Sequence, residues 1–584
     1  MGQAGNFNSL TYFSRQFGKR MLEFFQNHRY IVFVLILVAV TRFIHLEADP
    51  PIYLSPSGGL FGDEAALAHN ARNKVLFGIW ITDEWNPFIY NPLLTILEYL
   101  SFKLFGVGLI QLRLVNIIAC FCSFFLLFYS LKTNCKKGVA LLSVLLLGVN
   151  YVFIMYSRLG LNDTFLVFPM TLTLYLWQKG LEKNQVLFLA GISSFACYVT
   201  KASALYFILA VFIALLFAIF RKYKEDGNLK RFCIPLIYYL GGLGISYIIW
   251  YVLLFSPYKM EFAKISTGWF RTAMPPTFSL FWNNLRSFAF PRYLTGTPIE
   301  LLLSWSYVPF LIYVFLRNWR KIQPIEIFVF LWAFGGYMAL NGLNYRPLRY
   351  YVPLIPPVCI LASFVLNKMW EKDSLRKLSL NKVYLFWSSL FWIAYAFWVN
   401  IFVKHCIGYT RTLKGILSIF VITMILTLTY FVIKKIKLGS IAGYERSAFQ
   451  IIMRSVVISI ITLTLYFNGS HYLGWVNNAK YTVLNTSQEL GKMLNKAYIA
   501  GLWSPLVTIE NRHKALYVGN NWFNYKDTFE KYPVTHLFLW DGNNAEELRF
   551  LEKAYPKTMK RASLLKIYRI KGLPVRLFKI KDEF

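Results

Sequence analysis

The chain has 584 residues, of which 57% are hydrophobic and 18% aromatic, while only 15% are charged. Soluble globular proteins carry about 25% charged residues, so this composition excludes a soluble enzyme and indicates an integral membrane protein. The formal net charge is +34, but Lys and Arg fall in short clusters between apolar runs. That is the pattern of membrane-flanking loops and lipid head groups, not of a nucleic-acid-binding face.

Residues 1–30 are polar and basic, with Arg15, Lys19, Arg20 and Arg29 preceding the first apolar run. The segment is too long and polar for a signal n-region, and no small-residue cleavage site follows. The run at 31–46 therefore reads as a retained anchor. The positive-inside rule places residues 1–30 in the cytoplasm and the next loop outside. A second span near 109–131 returns to Lys132, Lys136 and Lys137. Later basic clusters at 221–231, 317–321, 367–377 and 434–437 all fall on the same side. Counting apolar runs by length gives about thirteen spans across residues 31–470.

The segment 471–584 changes character and is predicted to lie outside as a small α/β domain. Thr486 and Glu489 in "TSQELGKMLNKA" have capping-box spacing and mark a helix, and "NNAEELRFLEKAY" marks another. "ALYVG", "THLFLWD", "LLKIYRI" and "VRLFKI" read as short strands. Seven scattered cysteines have no CxxC spacing and none follows Cys406. Neither a zinc cluster nor a disulfide framework is indicated.

On this topology the outer loops carry the chemistry. "GGLFGDEAALAHNARNK" (58–74) sets Asp63 beside Glu64, with Arg72 and Lys74 behind them and Asp83 and Glu84 further on. The second outer loop holds Arg158, Asn162 and Asp163, the third Lys201, and the fifth Arg346 and Arg349. The fourth, about 255–300, is basic, with Lys259, Lys264, Arg271, Arg286 and Arg292. Carboxylates ringed by cations suit an acceptor oriented or deprotonated by Asp or Glu while Lys and Arg hold a phosphate leaving group.

Each element also has a plainer reading. Asp63 and Glu64 could start a solvated helix, and Asp163 could be an N-cap. Arg158 and Lys201 could snorkel to head groups. Asp83 and Glu84 read as ordinary loop. His69 lacks a HExxH frame, so no metal ligand is assigned. A divalent ion between carboxylates of different loops is left open.

Taken together, these stretches resemble the GT-C superclass of membrane glycosyltransferases, in the glycosyltransferase family 39-like branch of protein O-mannosyltransferases and lipid A aminoarabinose transferases. The resemblance rests on "GDEAALAHNARNKVLFG", "YNPLLTILEYLSFKLFG", the Arg-bearing "LRLVNIIACFCSFFLLFYSL", "YSRLGLNDTFLVFPMTLTLYL", "LAGISSFACYVTKASALYF" and "RPLRYYVPLIPPVCILA". It covers roughly the first 220 residues and 340–365. It implies an α-helical polytopic membrane protein of GT-C fold, with 31–470 as the catalytic domain and a small C-terminal extracytoplasmic α/β domain.

The implied activity is inverting transfer of a monosaccharide from a polyprenyl-phosphate donor to a lipid, glycan or protein acceptor. It would occur on the extracytoplasmic face, in a bacterial inner membrane. In that pattern Asp63 is the essential carboxylate, Asp163 the second acidic site, and Glu64 supports Asp63 or faces the acceptor. Arg158, Lys201, Arg349 and Arg72 would hold donor phosphate. Two departures narrow the acceptor. "NPFIYNPLL" lacks the Lys-Pro-Pro feature of the aminoarabinose enzymes, and the C-terminal segment lacks the insertion of the eukaryotic O-mannosyltransferases. The alternatives are a transporter or flippase of lipid-linked saccharides and a nonenzymatic assembly subunit. A transporter would place ionisable groups near the midplane and often repeat its halves, and neither feature is evident.

Overall fold

The computed structural model describes residues 29–51, 54, 59–286, 297–371, 442–518, 523–540 and 546–581. Among these, seven helices are long and apolar enough to cross a membrane: Leu109–Thr133, Ala202–Glu225, Phe232–Phe255, Ile299–Lys321, Pro324–Asn341, Leu348–Trp370 and Met453–Val476. The pair Lys137–Val149 and Tyr151–Ser157, bent by 68°, meets the same length and composition test only when taken together, as a broken span or a re-entrant loop. Tyr30–Phe43 and Val186–Thr200 are shorter apolar helices. The remaining spans expected from the sequence, and the basic cluster at 434–437, fall at 372–441, outside the described residues.

The bundle is polytopic and helical as its composition requires, and the breaks between its helices position the polar groups. At the 68° bend the side chain of Asn150 accepts from the Phe153 amide at 2.9 Å. Asn468 of the long helix Ala442–Val476 accepts from the Tyr151 amide at 2.8 Å. These bonds satisfy amides freed by the bend, which apolar surroundings would otherwise leave costly. Helices Val186–Thr200 and Leu229–Trp250 cross at backbone contact, because a Cβ on Gly242 would collide with the Phe188 carbonyl. Small residues allow such close approach in membranes. Two contacts tie basic loops to neighbouring segments: Lys136 pairs with Glu371 at 2.5 Å, and Arg221 donates to the Ile322 carbonyl at 2.9 Å.

The polar segment that follows the first apolar run is ordered into helices Gly59–Leu67, His69–Phe77, Pro87–Tyr90 and Pro92–Phe105. Asp83, expected as ordinary loop, is a buried pillar of it. Its carboxylate lies 2.8 Å from His69 Nε2 and accepts from the Trp85 amide at 2.7 Å.

The C-terminal domain holds a five-stranded sheet in the order β2-β1-β3-β5-β4. The strands are β1 (Tyr498–Ala500), β2 (Lys514–Leu516), β3 (His536–Trp540), β4 (Ala562–Ile570) and β5 (Leu573–Ile580). β1 runs parallel to β2 and β3, whereas β5 is antiparallel to β3 and β4. Side chains alternate between faces with period two. Ile499 and Phe538 enter one core, and Ala500, Leu537 and Leu539 enter the other.

Two details differ from the sequence reading. The helix expected to be capped by Thr486 begins a turn earlier, as Thr482–Met493. Its end is held instead by Asp49, which accepts from the Thr482 amide at 2.8 Å and the Thr482 hydroxyl at 2.6 Å. A carboxylate at a helix N-terminus meets both free N–H groups and a favourable dipole, but this one comes from a distant segment. β1, only three residues long, was not anticipated; it is defined by pairing on both edges.

Candidate functional site

Asp63 and Glu64 share the helix Gly59–Leu67, where consecutive side chains diverge by about 100°. They consequently have separate surroundings. Glu64 is 1% exposed and forms a bidentate pair with Arg113, at 2.7 Å to Nη2 and 3.0 Å to Nε. The Gly160 amide also donates to it at 3.3 Å. Arg113 in turn donates to the carbonyls of Leu46 at 2.5 Å and Ala48 at 2.9 Å. Burial alone would raise the Glu64 carboxyl, but the Arg113 charge and its hydrogen bonds hold it below the usual range. Glu64 is thus closed to an acceptor, and its place is to fix the helix that carries Asp63.

Asp63 faces a different direction and is 26% exposed. It pairs with Arg349, whose Nε also lies 3.5 Å from the Asp163 carboxylate. Asp163 is 1% exposed and pairs with Lys201. One guanidinium therefore bridges the two acidic sites while an ammonium closes the far side. Lys201 also sits 3.8 Å over the Tyr350 ring.

Three helix interruptions bring these groups together. Asp163 lies in the single turn Asn162–Phe165, whose first amides receive no side-chain cap, so it is not serving as an N-cap. Lys201 occupies an extended residue between Val186–Thr200 and the 3₁₀ turn Ala202–Ala204. Arg349 lies in the 3₁₀ segment Leu348–Leu354, which follows Pro347 and contains Pro353; proline disfavours a regular α-helix there. Burial raises the Asp63 carboxyl, opposed chiefly by Arg349 and reinforced by Asp163. Burial lowers Lys201 to about 8, although Asp163 pulls it upward.

The other expected phosphate ligands lie elsewhere. Arg72 is buried and donates to the carbonyls of Thr508 at 3.1 Å, Asn511 at 2.9 Å and His513 at 2.7 Å, tying the first loop to the C-terminal domain. Arg158 donates to the His45 carbonyl and stacks 4.2 Å over Trp475. Glu84, read as ordinary loop, meets Lys264 at 2.8 Å and accepts from the Asn524 amide at 2.7 Å. It joins the fourth loop to the C-terminal domain. Asp63 and Asp163 both already face cations. Among the described residues no group of three or more His, Cys, Asp or Glu is arranged to hold a metal.

Residues 90–254 match the family described as dolichyl-phosphate-mannose-protein mannosyltransferase. This stretch includes Arg113, Asp163 and Lys201 but not Asp63 or Arg349. The chain superposes on ArnT from Cupriavidus metallidurans with a TM-score of 0.55, covering 94% of this chain and 98% of that one at 14% identity. The fold is that of a GT-C membrane glycosyltransferase. The figures are the same for the ArnT structure bound to undecaprenyl phosphate and for its apo state. An uncharacterized protein of Aquifex aeolicus (strain VF5) is 23% identical over 336 residues, 56% of this chain. The chain spans 63% of that relative's length. Within the GT-C fold, the paired carboxylates and their cations occupy the ends and breaks of helices, on the side facing the C-terminal domain.

Proposed function

We propose that this protein transfers a monosaccharide from a polyprenyl-phosphate donor to a lipid, glycan or protein acceptor, with inversion at the anomeric carbon. The reaction takes place on the extracytoplasmic face of a bacterial inner membrane, with the N-terminus in the cytoplasm and the C-terminal domain outside. The observation that carries this reading is the bridge of Arg349 between Asp63 and Asp163, with Lys201 closing the group. The ArnT structure of this fold that binds undecaprenyl phosphate supports the lipid class.

In this reading Arg349 and Lys201 turn to the donor phosphate and neutralise it as it leaves. The acceptor hydroxyl oxygen attacks the anomeric carbon from the side opposite the phosphate. The new C–O bond forms as the bond to phosphate oxygen breaks, and its electron pair leaves with polyprenyl phosphate. Asp63, raised by burial, takes the hydroxyl proton. Asp163 keeps Lys201 in place. No proton has to be supplied to the leaving group.

The test uses purified protein in lipid nanodiscs, a panel of undecaprenyl-phosphate sugars and a membrane extract as acceptor source. Release of undecaprenyl phosphate, read by mass spectrometry, is the expected result. Silence across the panel, with movement of a lipid-linked sugar between leaflets, would favour a flippase instead.

Arg349→Ala and Lys201→Ala should each weaken undecaprenyl phosphate binding by about 10–100-fold, since a charged hydrogen bond contributes roughly 1.5–3 kcal/mol. Titration of the lipid phosphate against intrinsic tryptophan fluorescence measures this. Arg72→Ala should leave that affinity unchanged, because its donors serve backbone carbonyls.

Affinity should also fall as pH rises through about 8, where the buried Lys201 loses its proton. An exposed lysine would hold its charge to about 10. The same titration, repeated from pH 6 to 10, should show the loss in wild type and not in Lys201→Arg.

A further inference from the structure

Tyr90 and Asn91 form the junction between the helices Pro87–Tyr90 and Pro92–Phe105. Asn91 is 0% exposed, and neither its amide nitrogen nor its amide oxygen has a hydrogen-bond partner. An asparagine before a helix normally caps it by accepting from a first-turn amide, but this side chain makes no such bond. The Tyr90 hydroxyl is likewise buried and unpartnered. Unbonded polar atoms are costly to bury, and the same segment avoids that cost at its neighbouring asparagines. Asn70 donates to the Trp80 carbonyl at 2.5 Å and accepts from the Phe88 amide at 3.0 Å. Asn86 donates to the Asp83 carbonyl at 2.9 Å and accepts from Asn70 at 3.3 Å. Tyr90 and Asn91, by contrast, hold their hydrogen-bonding groups in reserve.

Contacts on either side seat this junction between the two acid-bearing elements. The Tyr90 ring lies 5.5 Å from the Trp85 ring, edge to face. The Trp85 indole N–H donates to the Ala66 carbonyl at 2.7 Å, in the helix that carries Asp63. One turn beyond Asn91, on the same helix face, Leu94 packs in the apolar cluster of Val115, Ala119 and Phe165. Phe165 belongs to the turn Asn162–Phe165, which carries Asp163. The groups held between these elements are neutral. A phenol donates and accepts, and a carboxamide offers two donors and an acceptor oxygen. Burial raises the Tyr90 hydroxyl well above its usual range, so it stays un-ionised. Glu98, whose carboxyl oxygens are also unpartnered, lies two turns on, about 10 Å along the helix axis and beyond reach of the same small ligand.

We propose that Tyr90 and Asn91 determine which sugar is accepted on the donor, by hydrogen bonding to the hydroxyl groups of an uncharged monosaccharide. Sugar hydroxyls donate and accept at one atom, as the phenol and the carboxamide together can match. An ammonium or carboxylate on the sugar finds no opposite charge in this pair. A sugar without the matching hydroxyls leaves the buried groups unpaired, which is how such a site discriminates. The inference rests on the lipid-linked sugar donor proposed above, and not on the transfer step.

The test titrates the full-length protein in nanodiscs with undecaprenyl phosphate and with its neutral, amino and uronic sugar derivatives, followed by intrinsic tryptophan fluorescence. Wild type should bind a neutral sugar lipid more tightly than undecaprenyl phosphate. Tyr90→Phe and Asn91→Leu should each weaken that sugar lipid by about 3–10-fold, the span of one neutral hydrogen bond, and leave undecaprenyl phosphate unchanged. A wild type that prefers an amino or uronic sugar, or no sugar at all, overturns the proposal. Equal weakening of both lipids would assign the pair to phosphate or to the fold, and unchanged affinity for both would remove it from recognition; either result overturns the proposal too. Tyr90→Phe deletes a hydroxyl without a partner, so it should melt no lower than wild type, and a lower melting temperature would assign that hydroxyl to the fold instead. If Asn91→Leu does not fold, Asn91→Ala replaces it with the same outcomes. Sugar preference lost in both variants, without release of undecaprenyl phosphate by wild type, would uphold this inference and reject the transferase reading. Release by wild type, with the preference unmoved in both variants, would do the reverse.

Discussion

Asp63→Asn should reduce turnover by about 10²–10⁴-fold, the span attributed to a positioned general base, while leaving the fold and undecaprenyl phosphate binding intact. The substitution keeps size and shape and removes only the charge and the basicity. Asp63 is the partly exposed member of its pair, so little packing depends on it. Arg349 loses one carboxylate but retains Asp163 at 3.5 Å. Freed from competition, it should bind lipid phosphate as well as before or a few-fold better. The measurement is release of undecaprenyl phosphate by mass spectrometry, alongside titration of the lipid. Wild-type turnover in the variant would remove Asp63 from the chemistry. A matching loss of lipid binding would reassign it to holding the donor. The intermediate pattern, binding without release, is what a base acting on the acceptor produces.

The separation of Asp63 from Glu64 also shows where sequence reasoning reaches its limit. Apolar length is a local property, so Leu109–Thr133 and Ala202–Glu225 were legible. The residue types at the site, Asp63, Asp163, Lys201 and Arg349, were also legible. Their mutual contacts were not, because three helix breaks far apart in sequence create them. Adjacency suggested that Asp63 and Glu64 act together, but a helix sends neighbours to different partners. Arg113 decides the fate of Glu64 from 49 positions away. Arg72 looked like a phosphate ligand until the C-terminal carbonyls claimed its donors. β1 and the Asp49 cap were hidden for the same reason, since each depends on distant pairing.

Arg113→Ala should be the most destabilising single change around the candidate site, by about 3–5 kcal/mol. Removing the guanidinium leaves Glu64 buried at 1% exposure without its cation. It also releases the carbonyls of Leu46 and Ala48, which the same side chain joins to the helix of Asp63. The penalty is mainly that of an uncompensated buried charge, not the intrinsic strength of the pair. For that reason Glu64→Gln in the Arg113→Ala background should recover a large part of the loss, as neutral replacement of a buried pair often does. Equilibrium unfolding in mixed micelles, applied to the four members of this cycle, gives the coupling directly. If Arg113→Ala keeps wild-type stability but loses turnover, Glu64 takes part in the chemistry. If stability falls as expected and the double variant regains both stability and some turnover, the clamp serves architecture. Asp63 then remains the carboxylate of this helix left to meet the acceptor.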